Sequence, residues 1–144
     1  MKKFLLIICL NVFAFALTPF SLEGLQEAKV KISDKGKLLS KIEKKQLTSK
    51  VIAELQKTGL KTDTKLYSKI IIKVKSLKLK SKDIIFISLF VIEDVRMLND
   101  IENIKMGITY KMDDFFEAED LKDDIKESIE YLVSEFVDQY NDEK

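Results

Sequence analysis

The chain of 144 residues contains no histidine, one cysteine, one proline and four scattered glycines. Histidine and cysteine are the usual ligands of zinc, haem and redox metals, so sites of that kind are close to excluded. Isolated glycines cannot build a glycine-rich phosphate-binding loop. No repeat or low-complexity linker is visible, and the proline, Pro19, lies near the start. We therefore expect one compact domain without a cofactor.

Long hydrophobic runs are also missing. The longest, Phe4 to Ala16, has 13 residues, is interrupted only by Asn11 and follows Lys2 and Lys3, whereas a membrane span needs roughly 20. The end of this run, Ala14-Phe15-Ala16, fits the small-x-small rule of a signal-peptidase site. We predict a signal peptide over residues 1–16, cleaved after Ala16, and a single domain over 17–144. The alternative is an uncleaved membrane anchor.

The single cysteine, Cys9, is not expected to carry a lipid. The residues before it are Leu6-Ile7-Ile8, with no small side chain, and the apolar run continues past it. Cleavage would remove Cys9, leaving the mature chain without a disulfide or a thiol nucleophile. The sequence thus predicts an exported protein that is not a lipoprotein, periplasmic where the cell has two membranes.

Charge is unevenly distributed along the chain. Residues 17–82 contain 17 lysines and 6 acidic residues, whereas residues 83–144 contain 6 basic and 18 acidic residues. We interpret the difference as complementary solvated surfaces within one domain, although such asymmetry can also indicate a partner. The lysines are not interleaved with the arginines and stacking aromatics that read nucleic acid, so no nucleic-acid partner is expected.

The first half of the mature chain contains a strand and a helix. Apolar residues and lysines alternate from Ala28 to Ile32, which is typical of a half-buried strand. From about Ser40 to Thr58 apolar residues recur every four positions, with lysines on the opposite side, which predicts an amphipathic helix. Gly59 follows at the position of a left-handed helix cap.

Three further strands are predicted next. Ile70, Ile72 and Val74 alternate with lysines, and because the apolar phase slips after Ser76 we expect a bulge or bend there. A short polar turn leads into Lys82 to Val95, which predicts a hairpin. The last strand is predicted over 104–112. In that strand the apolar side would be formed by Ile104, Met106, Ile108 and Tyr110.

The clearest helical signal is the last one. Apolar residues fall at spacings of three and four from Leu121 to Tyr140, and acidic residues gather at the start, where they favour the positive end of the helix dipole. The resulting order is strand, helix, strand, strand, strand, helix. It predicts an α+β two-layer sandwich, with a four-stranded, mostly antiparallel sheet and two helices on one face.

Residues 22–144 resemble an uncharacterised family of small exported bacterial proteins. The stretches that carry the resemblance are "LEGLQEAKVKI", "VIAELQKTGL", "FISLFVIEDV" and "ESIEYLVSEFVDQY", in that order. The element order is also similar to the outer-membrane lipopolysaccharide-assembly lipoprotein, and more loosely to auxiliary subunits of lipid transporters. The similarity implies a role in the envelope. Those relatives usually carry a lipidated cysteine, a feature that Cys9 does not match.

Carboxylates are dense from Asp113 to Asp124. Their spacing does not match the calcium loop in which alternate Asp or Asn ligands lead to a glycine. Paired carboxylates also serve glycosidases, but nothing in the spacing favours that chemistry here. We interpret the segment as a loop followed by a charged first helical turn, and we predict a protein that is not an enzyme.

The stretch Lys82 to Val95 is apolar at both odd and even positions. We expect one side to face the helices, namely Ile85, Ile87, Leu89 and Val91. The side that then faces away is Ile84, Phe86, Ser88, Phe90 and Ile92. The other outer-face positions are Lys29, Lys31, Ile71, Lys73, Lys75, Lys105, Thr109 and Lys111. An apolar stripe edged by ammonium groups is predicted.

Three interpretations of this stripe are open. In the first, a loop, the N-terminal tail or a mispredicted helix covers the stripe. In the second, the stripe binds another envelope protein or a second copy of the chain. In the third, it binds the acyl chains of an anionic lipid or lipopolysaccharide, and the lysines bind the phosphates. We predict an envelope binding module with a protein partner or itself, and a lipid or lipopolysaccharide handling factor as the alternative. The candidate binding residues are Phe86, Phe90, Ile92, Lys29, Lys31, Lys73 and Lys75.

Overall fold

The computed structural model describes residues 21–62, 67–97 and 100–144, with side chains except at 97, 100 and 101. The elements in chain order are β1 (Lys29–Asp34), α1 (Lys41–Lys57), β2 (Lys69–Leu79), β3 (Lys82–Met97), β4 (Asp100–Glu117) and α2 (Leu121–Asp142). The predicted signal peptide, its cleavage site and Cys9 lie outside the described residues. Neither α1 nor α2 has the length and apolar character that a membrane crossing requires.

The four strands form one sheet in the order β1-β2-β3-β4. β1 runs parallel to β2, and the two pairs that follow are antiparallel. Alternate residues of β2 and β3, including Ile72 and Leu89, are buried in a single core cluster with the apolar faces of α1 and α2. The predicted α+β fold, with both helices on one face of the sheet, is therefore confirmed. The helix-bearing side is called the inner face, and the opposite side the outer face.

Local signals determine where α1 begins and ends. The Ser40 hydroxyl accepts a hydrogen bond from the Glu43 backbone N–H, and the Glu43 carboxylate accepts one from the Ser40 backbone N–H. This capping box satisfies two donors that the first helical turn leaves free. Hydrogen bonds to the Glu43 carboxylate from the Ser40 backbone N–H and side chain, with the Lys122 ammonium, lower the pKa of Glu43 to about 2. After the helix, Gly59 adopts a φ of +88°, which a side chain would strain.

The middle of the core is aromatic. Phe136 of α2 is fully buried; its ring meets Tyr110 edge-on at 5.4 Å between centroids and stacks on Tyr140 at 6.2 Å. Each tyrosine hydroxyl has an acceptor: Tyr110 donates to Gln139 Oε1 and Tyr140 donates to the Leu25 carbonyl, both at 2.8 Å. The rings therefore fill the core without leaving a buried donor unsatisfied.

The described N-terminal segment closes one end of this core. Leu22 and Leu25 are buried. The Leu22 N–H donates to Glu143 Oε2 at 2.6 Å, and the Ser21 N–H donates to the Thr109 carbonyl at 3.1 Å. These contacts are with the C-terminal end of α2 and with β4. They hold the segment beside the helical layer and one sheet edge.

Two details of the strands correct the sequence predictions. The expected bulge after Ser76 is absent, because β2 pairs with β3 without interruption from Lys69 to Leu79. β4 is much longer than the predicted 104–112 and includes Asp113 to Glu117, where the sequence predicts a loop. The hairpin between β2 and β3 is present and turns at Lys80, which has a φ of +57°.

A bulge in β4 changes which of its residues face the core. Val91 pairs with Tyr110 whereas Ile92 pairs with Ile108, so Thr109 is an extra residue. The apolar side therefore does not continue along the strand as predicted. Tyr110 is buried, but the three residues that were expected to share its side are exposed, namely Ile104, Met106 and Ile108. Lys105 pairs with Val95 beyond the bulge and does not share the outer side with Lys111.

Candidate outer-face binding site

The outer face of the sheet is the candidate site. Along β3 the inward residues Ile85, Ile87, Leu89 and Val91 are at most 1 % exposed. The alternate residues point the other way: Phe86 is 43 % exposed, and Phe90 and Ile92 are partly buried. Among the lysines, Lys73 is partly buried, and the others are exposed, namely Lys29, Lys31 and Lys75.

The strand register shows which of these residues are neighbours. Lys75 pairs directly with Phe86, and Lys73 pairs with Ser88. Lys31 pairs with Ile71, which in turn pairs with Phe90. Neighbouring strands lie about 4.8 Å apart, so Lys31 is about 10 Å from Phe90 across the sheet. The β2 lysines are therefore direct neighbours of the outward-facing β3 residues, whereas the β1 lysines lie one strand further away.

The exposed apolar surface is centred on Phe86 and Phe115, not on Phe86, Phe90 and Ile92 as predicted. Phe86 pairs with Phe115 of β4, and the two rings stack at 6.1 Å between centroids. Leu77 pairs with Ile84 in the next row. We call the following set the outer patch: Leu77, Leu79, Ile84, Phe86 and Phe115. Phe115 is 72 % exposed and Leu77 is 55 % exposed, so no described residue covers the patch.

A polar row separates Phe86 from Phe90. It consists of Lys73, Ser88 and Asp113, which lie side by side on β2, β3 and β4. The predicted centre of Phe86, Phe90 and Ile92 is therefore not one continuous apolar surface. Phe90 lies instead between Ile71 and Lys111, on the far side of this row.

Sequence reasoning missed Phe115, Leu77 and Leu79. The sequence predicts a bulge or bend ahead of the two leucines, and it predicts a loop at Phe115 because the neighbouring residues are acidic. A usable signal existed, since Tyr110, Met112, Asp114 and Phe116 alternate with a second set of residues. That second set, which faces outward, is Lys111, Asp113, Phe115 and Glu117.

The acidic side chains beside the patch are already paired. Lys111 Nζ lies 2.6 Å from Asp113 Oδ2, and Lys82 Nζ lies 2.6 Å from Glu117 Oε2. Partial burial acts to raise the pKa of Asp113, but hydrogen bonds from Lys111 and Ser88, with the lysine charge, outweigh it and lower the pKa. Asp113 is therefore ionised at neutral pH and compensated by Lys111.

The lysines on the other side of the patch are not compensated. Across the described ranges, no ion pair includes Lys29, Lys31, Lys73 or Lys75. A groove of about 600 Å³ runs over this surface. The residues that line the groove include Lys75, Leu77, Phe86, Ser88, Lys111, Asp113 and Phe115. The site thus combines exposed aromatic rings with an excess of positive charge.

The carboxylates from Asp113 to Asp124 have structural roles. Asp114 Oδ2 accepts from the Ser128 hydroxyl at 2.6 Å, and Asp120 is the N-cap of α2. Asp124 Oδ2 accepts from the backbone N–H groups of Glu119 and Asp120, at 2.7 and 2.9 Å. Within residues 21–62, 67–97 and 100–144 no group of three or more acidic or cysteine side chains could hold a metal ion.

Comparisons with known proteins identify no family. No protein-family model matches the chain, and no curated protein matches it. Among solved structures, the chain is similar to a minor lipoprotein from Acinetobacter baumannii. The two are 8 % identical, with a TM-score of 0.34, and the match covers 81 % of this chain and 93 % of the lipoprotein. A TM-score below 0.5 is too low to transfer a property of that lipoprotein to this chain.

Proposed function

We propose that this protein is an exported, non-enzymatic binding module of the bacterial envelope, periplasmic where the cell has two membranes. The outer patch is the surface that binds its protein partner. The observation that supports this role is the stacked pair of Phe86 and Phe115, exposed beside lysines that have no ion pair in the described structure. Aromatic anchors within a charged rim are typical of protein interfaces.

The charges of the outer face define the chemistry of the partner. Lys73 and Lys75 flank the patch on the β2 side, and the acidic residues on the β4 side are already paired. A complementary surface therefore presents apolar side chains at its centre and free carboxylates facing β2. A second copy docked face to face does not satisfy this requirement, because it would bring like-charged lysines together.

The shape of the face favours a protein over a lipid. A small amphiphile is usually held in a concave pocket that buries most of its surface. The outer groove, by contrast, is open along the sheet, and Phe115 projects from it with 72 % of its surface exposed. The rival function, lipid or lipopolysaccharide handling, would place acyl chains on Phe86 and Phe90 and phosphates on the lysines.

Photo-crosslinking in cells tests the proposal. A photoreactive phenylalanine analogue replaces Phe115, and in a matched control it replaces Tyr131, an aromatic residue of α2 that is 54 % exposed on the other layer. After irradiation the adducts are separated and identified by mass spectrometry. We expect a discrete adduct with one envelope protein from position 115 that is absent from position 131.

Two results would contradict the proposal. A lipid or lipopolysaccharide adduct from position 115 would establish the rival function. Crosslinks confined to the same molecule would show that the chain itself covers the patch, and a protein interface at this surface would then be excluded.

A further inference from the structure

The strand order of the sheet separates the basic and the acidic parts of the sequence in space. Because the strands follow one another in chain order, β1 and β2 form one half of the sheet and β3 and β4 the other. α1 contacts β1, whereas α2 packs on β3 and β4. The described residues up to Lys82, which include 16 lysines, therefore lie beside the described residues from Asp83 onward, which are predominantly acidic. One side of the sandwich is basic and the other is acidic.

Both lateral edges of the sheet are open in the described structure. β1 and β4 are the end strands. The backbone of Lys61 bridges Gln26 and Ala28 just ahead of β1, but no described strand pairs with the outer edge of Lys29–Asp34 or of β4. The N–H of Ser21 donates to the Thr109 carbonyl at the β4 edge, and no described residue pairs with the outer edge from Tyr110 to Glu117. An unpaired edge presents backbone donors and acceptors in a row and is a template for another strand.

The two edges carry opposite charge. On β1, Lys29 and Lys31 are exposed and take part in none of the ion pairs between described residues. From Tyr110 of β4 to the N-cap of α2 the acidic residues are Asp113, Asp114, Glu117, Glu119 and Asp120. Lys111 pairs with Asp113 and Lys82 pairs with Glu117, and the remaining carboxylates leave this edge net negative. Two β1 edges would repel one another, as would two β4 edges, whereas β1 and β4 attract.

We propose that a second copy of this chain adds its β1 edge to the β4 edge, so that copies associate head to tail through one continuous sheet. β1 and β4 run in the same direction within the sheet, so the new pairing is parallel and keeps both outer faces on the same side. The six residues of β1 fit within the eight-residue span from Tyr110 to Glu117. This association is formed by backbone pairing at the strand edges and does not require the side chains of the outer patch, of which Phe115 alone lies on β4.

Sedimentation velocity on the exported, purified protein tests the inference. Two variants are made: Lys29→Glu with Lys31→Glu reverses the charge of the β1 edge, and Asp113→Lys with Glu117→Lys reverses the charge of the β4 edge. All four positions are exposed, so both variants are expected to fold. The wild type is expected to grow beyond a dimer as its concentration rises at about 20 mM salt, and to dissociate at about 500 mM, where surface charges are screened.

The variants distinguish head-to-tail pairing from symmetric pairing. Each is expected to be monomeric alone, because its β1 and β4 edges then carry like charge. An equimolar mixture is expected to associate beyond a dimer as the wild type does, because the unchanged edges of the two variants are complementary and so are their reversed edges. Head-to-tail interfaces have this property and two-fold interfaces do not. A wild type that stays monomeric at every concentration would overturn the inference, as would either variant forming dimers by itself.

Discussion

Leu89→Asp is expected to abolish the folded state. Leu89 is 1 % exposed and lies in the middle of β3, paired with Ile72 on one side and Met112 on the other. A carboxylate at this position would be surrounded by apolar side chains and have no cation to pair with. Burying it costs several kcal/mol, and the total stability of a domain is only about 5–15 kcal/mol. The measurement is circular dichroism during thermal unfolding, which is expected to show no cooperative transition.

The matched control is Phe90→Asp, one residue further along the same strand. Phe90 lies on the outer face, is partly buried and pairs with Lys111. The new carboxylate therefore faces solvent and a lysine, and the variant is expected to melt cooperatively close to the wild type. A Leu89→Asp protein that melts within a few degrees of the wild type would show that the inner and outer faces of β3 have been assigned incorrectly.

Phe115→Asp is expected to separate binding from folding. Its ring contacts Phe86 and is otherwise largely exposed, so the free energy of unfolding is expected to change by less than about 1 kcal/mol. The affinity for the protein crosslinked from position 115 is expected to fall about 30-fold or more. That loss corresponds to about 2 kcal/mol or more, the value typical of an aromatic anchor at the centre of an interface. The measurement is isothermal titration calorimetry with that purified protein.

Tyr131→Asp is the control for this prediction. Tyr131 is an exposed aromatic residue of similar size on α2, in the helical layer. The Tyr131→Asp variant is expected to bind the crosslinked partner with the affinity of the wild type. Equal losses from Phe115→Asp and Tyr131→Asp would mean that added negative charge, rather than the outer patch, weakens the complex.

The fold was predictable where the signals are local. The capping box of Ser40 and Glu43 and the positive φ of Gly59 mark the ends of α1 at the predicted positions. The apolar periodicity of α2 likewise predicts where the helix begins and ends, because the spacing of residues along one helix depends on no other element. The element order then left a two-layer sheet as the natural arrangement.

β4 was less predictable because its sequence contains two competing signals. Asp113 and Asp114 have low strand propensity and favoured a loop, but tertiary pairing with β3 holds both in the strand. The bulge at Thr109 reverses the alternation of the strand midway. Tyr110 consequently faces the core while Ile108 is exposed, which no single alternating pattern could indicate.

The residues of the outer face were predictable in part. The two-sided apolar pattern of β3 correctly placed Phe86 on the outer face, since that inference depends only on the period of a strand. Its neighbours depend on strand order and register, which the sequence does not contain. The pairing of β3 with β4 places Phe115 beside Phe86. β2 lies between Phe86 and the β1 residues Lys29 and Lys31.

The most direct test of the central claim measures how the β2 lysines contribute to partner binding. The yield of the position 115 crosslink is compared in two backgrounds, Lys73→Glu with Lys75→Glu on the outer face, and Lys41→Glu with Lys45→Glu on α1. Both backgrounds change the net charge equally. We expect the first to reduce the yield about tenfold, because it reverses the charges that face the carboxylates of the partner, and the second to leave it unchanged. Equal yields in the two backgrounds would contradict an interface formed by the outer patch and its lysines.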